Sequence, residues 1–316
     1  MKKLNTPVLF LIFNRPNTTK KVFEEIRKAK PKKLFIAADG PRKNVPEDRA
    51  KCEKARKITQ GIDWDCKVKR LFRTKNLGCK YAVSSAIDWF FENVEEGIIL
   101  EDDCLPSQSF FWFCQDLLEK YKYDNRIMQI NGNNYGNILN TKNSYSFCSY
   151  SQVWGWATWR RVWVSYDVNL TSWKQMSPQL SHLPLNWNKP DLLKEKQRGN
   201  AVFFNNFDTW DYQLHFIIFF SNGLVIAPKY NLVRNIGFGN NATHTKNRGS
   251  KMNLPVRDIK FPLNHPLLIF SDKGVNEIYK RNMLGKNKYL SKLPEIIFLH
   301  KELKRLKTRI LKWLNK

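Results

Sequence analysis

Apolar runs of strand length alternate with amphipathic stretches through the first hundred residues of the chain. Such runs predict buried strands, and apolar positions repeated every three or four residues predict helices. The predicted strands cover residues 8–13, 34–38, 67–72 and 98–100, and the predicted helices cover residues 18–30, 46–59 and 76–93. This alternation is typical of a parallel sheet with right-handed crossover connections. We therefore expect an α/β fold with a central sheet flanked by helices.

Polar residues follow three of these predicted strands. Asn14 and Arg15 follow the first strand, Asp39 follows the second, and residues 101–103, here called the acidic motif, follow the fourth. Because ligands collect at the carboxyl ends of the strands in parallel sheets, these residues predict a binding site there. None of the strand ends carries the glycine pattern of a dinucleotide site or a P-loop, which argues against a dinucleotide oxidoreductase or an ATPase.

Three consecutive carboxylates at the end of a buried strand need compensation. They repel one another, and burial raises the pKa of each unless a cation or a donor-rich ligand lies nearby. Carboxylate oxygens suit Mg²⁺ or Mn²⁺, and these ions keep open positions for the phosphates of a nucleotide. A solvated acidic turn is the alternative. The apolar residues 98–100 before the motif and residues 104–106 after it favour the metal site.

Composition and charge narrow the class of protein and of partner. The chain of 316 residues is 42% hydrophobic and 14% aromatic, which indicates a folded protein with a full core. Its 54 Lys and Arg against 28 Asp and Glu leave a net charge of +26, so we expect an anionic partner: nucleic acid, a membrane surface or phosphorylated substrates. The six cysteines show no metal-ligand spacing, and we interpret them as reduced thiols of a cytosolic protein.

The character of the sequence changes near residue 285. Residues 1–284 are interpreted as one catalytic domain, whereas residues 285–316 carry ten Lys or Arg against Glu295 and Glu302, with apolar residues among them. This pattern predicts a basic amphipathic helix that anchors the protein to an anionic membrane surface, and a helix packed on its own catalytic domain is the alternative. The apolar run at residues 7–13 is too short for a signal peptide or a membrane span.

Six motifs occur in a recognisable order along the chain. They are PVLFLIFNRP, LFIAADGPR, GIILEDD, VWGWATW, TWDYQ and PKYNLVRNIGFG. With these motifs, about residues 6–250 resemble the GT-A-fold, nucleotide-sugar-dependent glycosyltransferases, in particular the N-acetylglucosaminyltransferase I family and its bacterial relatives. The resemblance implies the GT-A (nucleotide-diphospho-sugar transferase) fold, with a mostly parallel central sheet, to which the C-terminal amphipathic helix is added.

The same resemblance implies roles for the polar strand ends. It implies that Asp103 binds Mn²⁺, or Mg²⁺, which bridges the diphosphate of the donor. Glu101 and Asp102 would lie near the ribose and the donor sugar. Arg15 and Asp39 would hold the base, with Asp39 accepting a hydrogen bond from a uracil imide.

Two aspartates are candidates for the catalytic base. Sugar transfer with inversion of the anomeric carbon needs one general base for the acceptor hydroxyl. Asp211 matches the base position of the family, next to a tryptophan, and Asp208 is the second candidate. The alternative is structural, with Asp208 capping the helix that continues through residues 212–216 and Asp211 in its first turn.

Tryptophans cluster near the middle of the chain. Trp156, Trp159 and Trp163 have the spacing of a helix that packs on a core, and we interpret them as packing residues. Trp154 and Gly155 lie at the start of this predicted helix. Because the apolar faces of sugars stack on aromatic rings, these two are candidates for contact with the donor or the acceptor.

A loop rich in glycine and asparagine, residues 235–244, follows the predicted base. Its glycines give the backbone freedom to close over a ligand, and a plain surface loop is the alternative. The resemblance places this loop at a segment that orders over the nucleotide-sugar. His244 is a candidate to reach the diphosphate or the metal, and a histidine with neither contact is the alternative. The histidine that the family carries before the acidic motif falls at Lys80. The candidate nucleotide- and donor-binding residues are therefore Asn14, Arg15, Asp39, Lys80, Glu101, Asp102, Trp154, Gly155 and His244.

The resemblance, together with these features, implies a metal-dependent glycosyltransferase. It would move a sugar from a nucleotide-sugar, expected to be a UDP-sugar, to a hydroxyl of a glycan or a lipid-linked acceptor, with inversion. The expected setting is bacterial surface polysaccharide synthesis, at the inner face of the cytoplasmic membrane. A sugar nucleotidyltransferase is one alternative, although no glycine-rich N-terminal loop is found. A nucleic-acid-binding protein is the other, but no recognised binding module occurs and we expect no nucleic-acid partner.

Overall fold

Ten strands build the sheets of the molecule in the computed structural model, which describes residues 4–134, 142–183, 188–237 and 254–284. The strands are β1 (Val8–Ile12), β2 (Lys33–Ala38), β3 (Lys67–Phe72), β4 (Glu96–Glu101), β5 (Cys104–Pro106), β6 (Ile127–Asn131), β7 (Tyr145–Cys148), β8 (Trp156–Trp159), β9 (Leu224–Pro228) and β10 (Val233–Asn235). Eight of them form a central sheet in the order β3-β2-β1-β4-β8-β6-β9-β7, and β5 pairs with β10 separately.

Parallel pairing dominates the half of the central sheet built by the first four strands. β1 pairs with β2 and with β4, and β2 pairs with β3, all in parallel. β8 lies antiparallel between β4 and β6, β9 is parallel to β6, and β7 ends the sheet antiparallel to β9. Four of these seven pairings are parallel, which confirms the mostly parallel central sheet expected from the sequence.

Helices flank this sheet as the alternating pattern predicts. They are α1 (Pro16–Ala29), α2 (Pro46–Ile58), α3 (Gly78–Asn93), α4 (Gln108–Tyr121), α5 (Arg160–Trp163), α6 (Trp173–Met176), α7 (Lys189–Asn205), α8 (Asp211–Phe220) and α9 (Lys273–Leu284), with a 3-10 segment at Ser177–His182. α1 packs on α2 and α4, whereas α3 packs on β1, β2 and α5.

The order of the strands reverses direction at β1. The chain passes from β1 to β2 and β3 on one side, and then returns to β4 on the other side of β1. With right-handed crossovers, this reversal places α3 on the opposite face of the sheet from α1 and α2. β1 and β4 are therefore the two strands whose carboxyl ends flank the crevice where such sheets bind ligands.

The predicted elements of the first hundred residues are confirmed to within about two residues at each end. One later prediction is wrong for most of its length, because Trp156–Trp159 form the strand β8 and only Arg160–Trp163, the helix α5, are helical. Trp156 pairs with Ile99 of β4 and with Asn131 of β6, so this segment fills the space between two strands. Since both faces of β8 are covered, tryptophans three residues apart are buried there. Trp156, Trp159 and Trp163 are all packing residues, as expected.

Two predicted segments lie outside the described residues. They are the basic tail, residues 285–316, and the glycine-rich loop beyond residue 237, which includes His244. The boundary between the catalytic domain and the tail therefore stays a prediction. In the part of the chain that is described, no helix is both long and apolar enough to cross a membrane. All six cysteines fall within it and are free thiols.

Gly97 in β4 gives a test of the packing beneath the acidic motif. A Cβ atom at this position would overlap the ring of Phe90 and lie 3.0 Å from the Pro7 carbonyl oxygen. We expect Gly97→Ala to lower the free energy of unfolding by about 1–3 kcal/mol, the usual cost of overpacking. Urea unfolding measures this change in the free energy of unfolding. The control is Gly61→Ala, where the nearest atom is 3.7 Å away, and equal stability of the two variants would contradict the packing described.

Candidate active site

Arg15 joins the carboxyl ends of β1 and β4. Its Nη1 atom donates to Asp103 Oδ2 at 2.7 Å and to Asp102 Oδ1 at 3.3 Å. Asp102 Oδ2 also accepts from the backbone N–H of Phe13 at 3.1 Å, directly after β1. The two strands on either side of the crevice are thus tied together by a guanidinium and a carboxylate. The polar strand ends therefore meet as predicted, but the contact of Arg15 is with the acidic motif, where the resemblance implied a contact with the base.

The acidic motif carries more negative charge than Arg15 compensates. Burial raises the pKa of Glu101, and the neighbouring Asp103 and Asp102 raise it further. Burial likewise raises the pKa of Asp102 to about 7, although Arg15 acts in the opposite direction. The pKa of Arg15 is lowered by burial but raised more strongly by the three carboxylates, and the net shift is upward. Because three carboxylates face one guanidinium, the acidic motif favours the binding of a further cation or of a ligand with hydrogen-bond donors.

The acidic motif can bind Mg²⁺ or Mn²⁺ through one carboxylate, that of Asp103. The described residues contain no group of three or more acidic, histidine or cysteine side chains arranged to hold a metal ion. The Asp103 side chain is 15% exposed and borders a cavity, so it can serve as a single carboxylate ligand. Mg²⁺ is commonly bound in this manner, with phosphates and water completing the octahedron. A metal here would depend on a bound diphosphate.

The segment after β10 closes over Asp103. β10 pairs with β5, and the N–H of Ile236 donates to the Asp103 carbonyl oxygen at 2.8 Å. Asn235 Oδ1 accepts from the N–H of Gly237 at 2.8 Å. A Cβ atom on Gly237 would overlap the Asp103 carboxylate, so only glycine allows this approach. Gly237 is a site residue that sequence reasoning did not single out, although it belongs to the predicted glycine-rich loop.

Asp39 is bonded to the segment that starts α3. Its carboxylate accepts from the backbone N–H groups of Leu77 at 3.0 Å and Gly78 at 3.3 Å, and from Asn76 Nδ2 at 2.8 Å. It also accepts from the N–H of Gly40. Burial raises the pKa of Asp39, and the backbone donors act against this shift. Asp39 therefore holds the end of β2 against the start of α3 with its oxygens already engaged by the protein.

A cavity of about 220 Å³ lies over the carboxyl ends of β1 and β2, and we call it the Asp39 cavity. Apolar side chains and three arginines line it together with carboxylates. Its lining includes Leu11, Phe13, Arg15, Ala37, Asp39, Arg42, Arg73, Asn76, Cys79, Ala82, Glu101 and Asp208. This combination of an apolar floor with cationic side chains suits a flat base and an anionic group.

A second cavity of about 340 Å³, here called the Asp211 cavity, adjoins the first. Aromatic side chains and two aspartates line it. The lining includes Asp103, Trp154, Phe207, Thr209, Trp210, Asp211, Tyr212 and Gly237. Arg15, Cys79 and Glu101 border both cavities and form a shared wall. Burial and the nearby Glu101 raise the pKa of the Cys79 thiol, so it is neutral and not a nucleophile.

Asp211 is the first residue of α8 and faces the second cavity. The hydroxyl of Thr209 donates to Asp211 Oδ1. The preceding Trp210 is fixed because it stacks on Trp156 with ring centroids 5.7 Å apart, and its carbonyl oxygen accepts from the Tyr166 hydroxyl at 2.9 Å. A carboxylate on a rigid segment at a cavity is the geometry that a general base needs.

Asp208 has a different role from Asp211. Its carboxylate accepts from the backbone N–H of Lys80 at 2.7 Å and of Cys79 at 3.2 Å, at the first turn of α3. The alternative that Asp208 caps the helix beginning near residue 211 is therefore wrong, because it caps a helix 128 residues earlier in the chain. Its oxygens satisfy amides that would otherwise lack partners, so Asp208 positions the wall between the cavities.

The other residues predicted to bind the nucleotide or the donor do not all lie at the two cavities. The Lys80 ammonium donates to Asn206 Oδ1 at 3.1 Å, and Lys80 is absent from the lining of both cavities. Gly155 is packed under Val233 with a φ of +65°, in the turn before β8 and not at a helix start. Trp154 borders the Asp211 cavity, as its prediction requires. Asn14 donates to Asp48 Oδ1 at 2.7 Å, beside the Asp39 cavity.

Two larger depressions lie at the opposite end of the central sheet. They measure about 550 Å³ and 590 Å³, and both are lined by Pro7 and Glu96, at the amino ends of β1 and β4. Of the six motifs, only the end residues Pro7 and Trp159 reach their linings, and none of the candidate site residues does. Because ligands of such sheets bind at the carboxyl ends of the strands, we place the candidate active site at the two smaller cavities.

The strand order and the reversal at β1 define the class of protein as an α/β protein with a mostly parallel central sheet flanked by helices, and the acidic motif follows β4 at the ligand crevice. No protein-family model matches the sequence, and no curated protein gives a significant match.

Among solved structures, HddC from Yersinia pseudotuberculosis is 9% identical, with 51% of this chain and 80% of that chain covered and a TM-score of 0.30. Apo mouse xyloside xylosyltransferase 1 is 11% identical, with 68% and 81% covered and a TM-score of 0.34. The inositol-1-phosphate CTP transferase of T. maritima is 9% identical, with 52% and 74% covered and a TM-score of 0.30. Likenesses this weak carry no conclusion about function.

Asp48 gives a pH test of the wall beside the Asp39 cavity. The Arg42 guanidinium and Asn14 lower the pKa of this carboxyl from 3.8 to about 2. A depressed pKa in the folded state stabilises the protein above the ordinary value, and this contribution is lost as the pH falls from about 4 to about 2. We expect the stability difference between the wild-type chain and Asp48→Asn to shrink over this range in urea unfolding. A difference that stays constant with pH would contradict the ion pair.

Proposed function

We propose that the chain is a metal-dependent glycosyltransferase that uses a nucleotide-sugar, with UDP as the expected nucleotide. One observation carries this proposal: two adjoining cavities share a wall, and the acidic motif lies where they meet. One cavity suits a nucleoside, the other holds a carboxylate suited to deprotonate a hydroxyl, and the diphosphate and sugar would span the boundary. A transferase needs such a pair of sites because donor and acceptor react at one point.

The donor would lie across the first cavity and the wall. The base would rest on the apolar floor of the Asp39 cavity, and the diphosphate would lie near Arg15 and Asp103. Because Asp39 already accepts from four protein donors, we assign it to the support of this cavity and not to the uracil imide. Arg73 is then the side chain of this lining that we assign to recognition of the nucleoside, because Asn76 Nδ2 is bonded to Asp39 and Arg42 is paired with Asp48.

The reaction would be a single displacement at the anomeric carbon. Asp211 would take the proton of the acceptor hydroxyl, the new carbon–oxygen bond would form on the face opposite the diphosphate, and the bond to the diphosphate would break with its electron pair. A Mn²⁺ or Mg²⁺ ion bound at Asp103 would stabilise the charge of the leaving diphosphate. The guanidinium of Arg15, already at the acidic motif, would add to this stabilisation.

The acceptor is proposed to be a glycan or a lipid-linked glycan. Trp154, Phe207 and Tyr212 line the Asp211 cavity, and aromatic faces suit the apolar faces of sugar rings. We further propose that the enzyme serves bacterial surface polysaccharide synthesis and lies on the inner face of the cytoplasmic membrane. The basic composition of residues 285–316 supports this location.

Slow donor hydrolysis tests this proposal. The protein is incubated with Mn²⁺ and a panel of UDP-, GDP- and CMP-sugars, and the released nucleotide is measured. A glycosyltransferase should release a nucleoside diphosphate from one UDP-sugar. Pyrophosphate released from a nucleoside triphosphate and a sugar phosphate would indicate a sugar nucleotidyltransferase instead. No nucleotide release with any donor, together with DNA or RNA binding, would indicate a nucleic-acid-binding protein.

Asp103 is expected to carry the metal dependence. We expect Asp103→Asn to lower turnover by about 10²-fold or more, because a leaving diphosphate loses several kcal/mol of charge stabilisation. Titration calorimetry of UDP with and without Mn²⁺ provides a readout independent of turnover. The wild-type chain should bind UDP more tightly with Mn²⁺, and the variant should not. Asp63→Asn on the surface is the control, and UDP binding by Asp103→Asn that still responds to Mn²⁺ would overturn the assignment.

Asp211 is expected to act as the base and Asp208 as a structural residue. We expect Asp211→Asn to lower turnover by about 10²-fold or more at unchanged donor affinity, because only proton transfer is lost. The matched change Asp208→Asn keeps an acceptor oxygen for the α3 amides and should retain most activity, with a loss of stability of about 1 kcal/mol. An NMR spectrum of the product should show inversion. A retained anomer, or a larger effect at Asp208 than at Asp211, would contradict these roles.

A further inference from the structure

An exposed apolar loop lies between β10 and α9, at the β7 edge of the central sheet. At one end, the Asn264 carbonyl oxygen accepts from the N–H of Ser144 at 2.7 Å, next to β7. At the other end, the N–H of Asp272 donates to the Phe147 carbonyl oxygen at 2.9 Å. The Ser271 hydroxyl lies 2.9 Å from that of Ser149. Both ends of the loop are therefore fixed to the edge strand.

The middle of this loop projects apolar side chains. Leu267 is 95% exposed, Leu268 is 65% exposed and Phe270 is 58% exposed. Single exposed apolar residues are common on protein surfaces, but three within four residues form a patch. Because both ends of the loop are bonded to β7, the patch is held outward. Such an arrangement keeps apolar surface available for a partner.

Exposed lysines flank the patch in the sequence, whereas Asp116 and Glu119 lie near its His265 end. Lys260 and Lys273 are exposed on either side of it, and no acidic residue lies between Lys260 and Asp272. The Asp272 carboxylate accepts from the N–H groups of Gly274 at 2.8 Å and Val275 at 3.1 Å, so it caps the start of α9. An apolar tip between lysines is complementary to a surface with anionic headgroups over an apolar interior.

The basic tail follows the loop closely in the sequence. α9 starts directly after the loop, packs on β7 and has 12 residues, which corresponds to a length of about 18 Å. Residues 285–316 come next and carry ten Lys or Arg against two Glu, with apolar residues among them.

We propose that residues 266–270 are a membrane-contacting loop, whose leucines and phenylalanine insert below the headgroups of an anionic phospholipid bilayer. This inference deepens the membrane location given under the proposed function, and it holds for any reaction that the active site performs. The apolar patch supplies contacts that salt does not screen, and the flanking lysines supply attraction that it does. The loop then holds the β7 edge towards the bilayer.

Vesicle sedimentation of the full chain tests this proposal. The variant Leu267→Ser/Leu268→Ser is compared with the wild-type chain on phosphatidylglycerol–phosphatidylcholine vesicles at about 0.1 M and about 0.5 M salt. We expect the variant to lose about tenfold or more in vesicle affinity at both concentrations, since each buried methylene contributes to binding without charge. The control Val164→Ser/Phe204→Ser removes apolar side chains with 73% and 62% exposure elsewhere and should bind as the wild type does.

Other outcomes of these experiments would overturn the proposal or assign the loop to a different partner. Vesicle binding by the double variant equal to that of the wild type overturns the proposal. Tighter binding by the variant overturns it too, because the loop would then be where the tail docks in solution. A wild-type dimer that becomes a monomer in the variant, seen by sedimentation velocity, would make the loop a contact between two copies. Donor hydrolysis in solution should be unchanged by the substitutions. A failure of the membrane-loop proposal can therefore be distinguished from a failure of the proposed sugar transfer.

Discussion

The contact of Arg15 with the acidic motif is the interaction around which the rest of the site is built. The strand order reverses at β1, so the ends of β1 and β4 border the crevice, and this contact crosses it at 2.7 Å and 3.3 Å. Three carboxylates at a buried strand end would repel one another without it, and burial already raises the pKa of Glu101 and Asp102. The same contact keeps a cation beside the expected position of a diphosphate.

The start of α3 links the two cavities mechanically. Asp39 holds this segment from the side of β2, and Asp208 holds it from the segment before α8. Asp211 lies only three residues beyond Asp208, so the segment that carries the proposed base also holds the wall of the donor cavity. β10 makes a similar link, because its pairing with β5 brings Gly237 onto Asp103. Three distant parts of the chain thus meet at the acidic motif.

What the sequence predicts well is local. The strands and helices of the first hundred residues follow from apolar periodicity, and the polar strand ends meet because parallel strands share an edge. The contacts between distant segments could not be predicted. From its position in the sequence, Asp208 is expected to cap the helix that follows it, but in the structure it caps α3. Trp156 belongs to a set of tryptophans with helical spacing, but it lies in the strand β8 and pairs with β4. Both depend on surroundings that only the folded chain provides, as do the Asp39 contacts.

A crystal structure of the protein with UDP and Mn²⁺ would show whether donor and acceptor occupy two cavities on either side of the acidic motif. We expect uridine in the Asp39 cavity, the diphosphate beside Arg15 and a metal at Asp103, with the Asp211 cavity open to the acceptor. Uridine bound in the Asp211 cavity, or a diphosphate bound away from Arg15 and Asp103, would contradict this expectation.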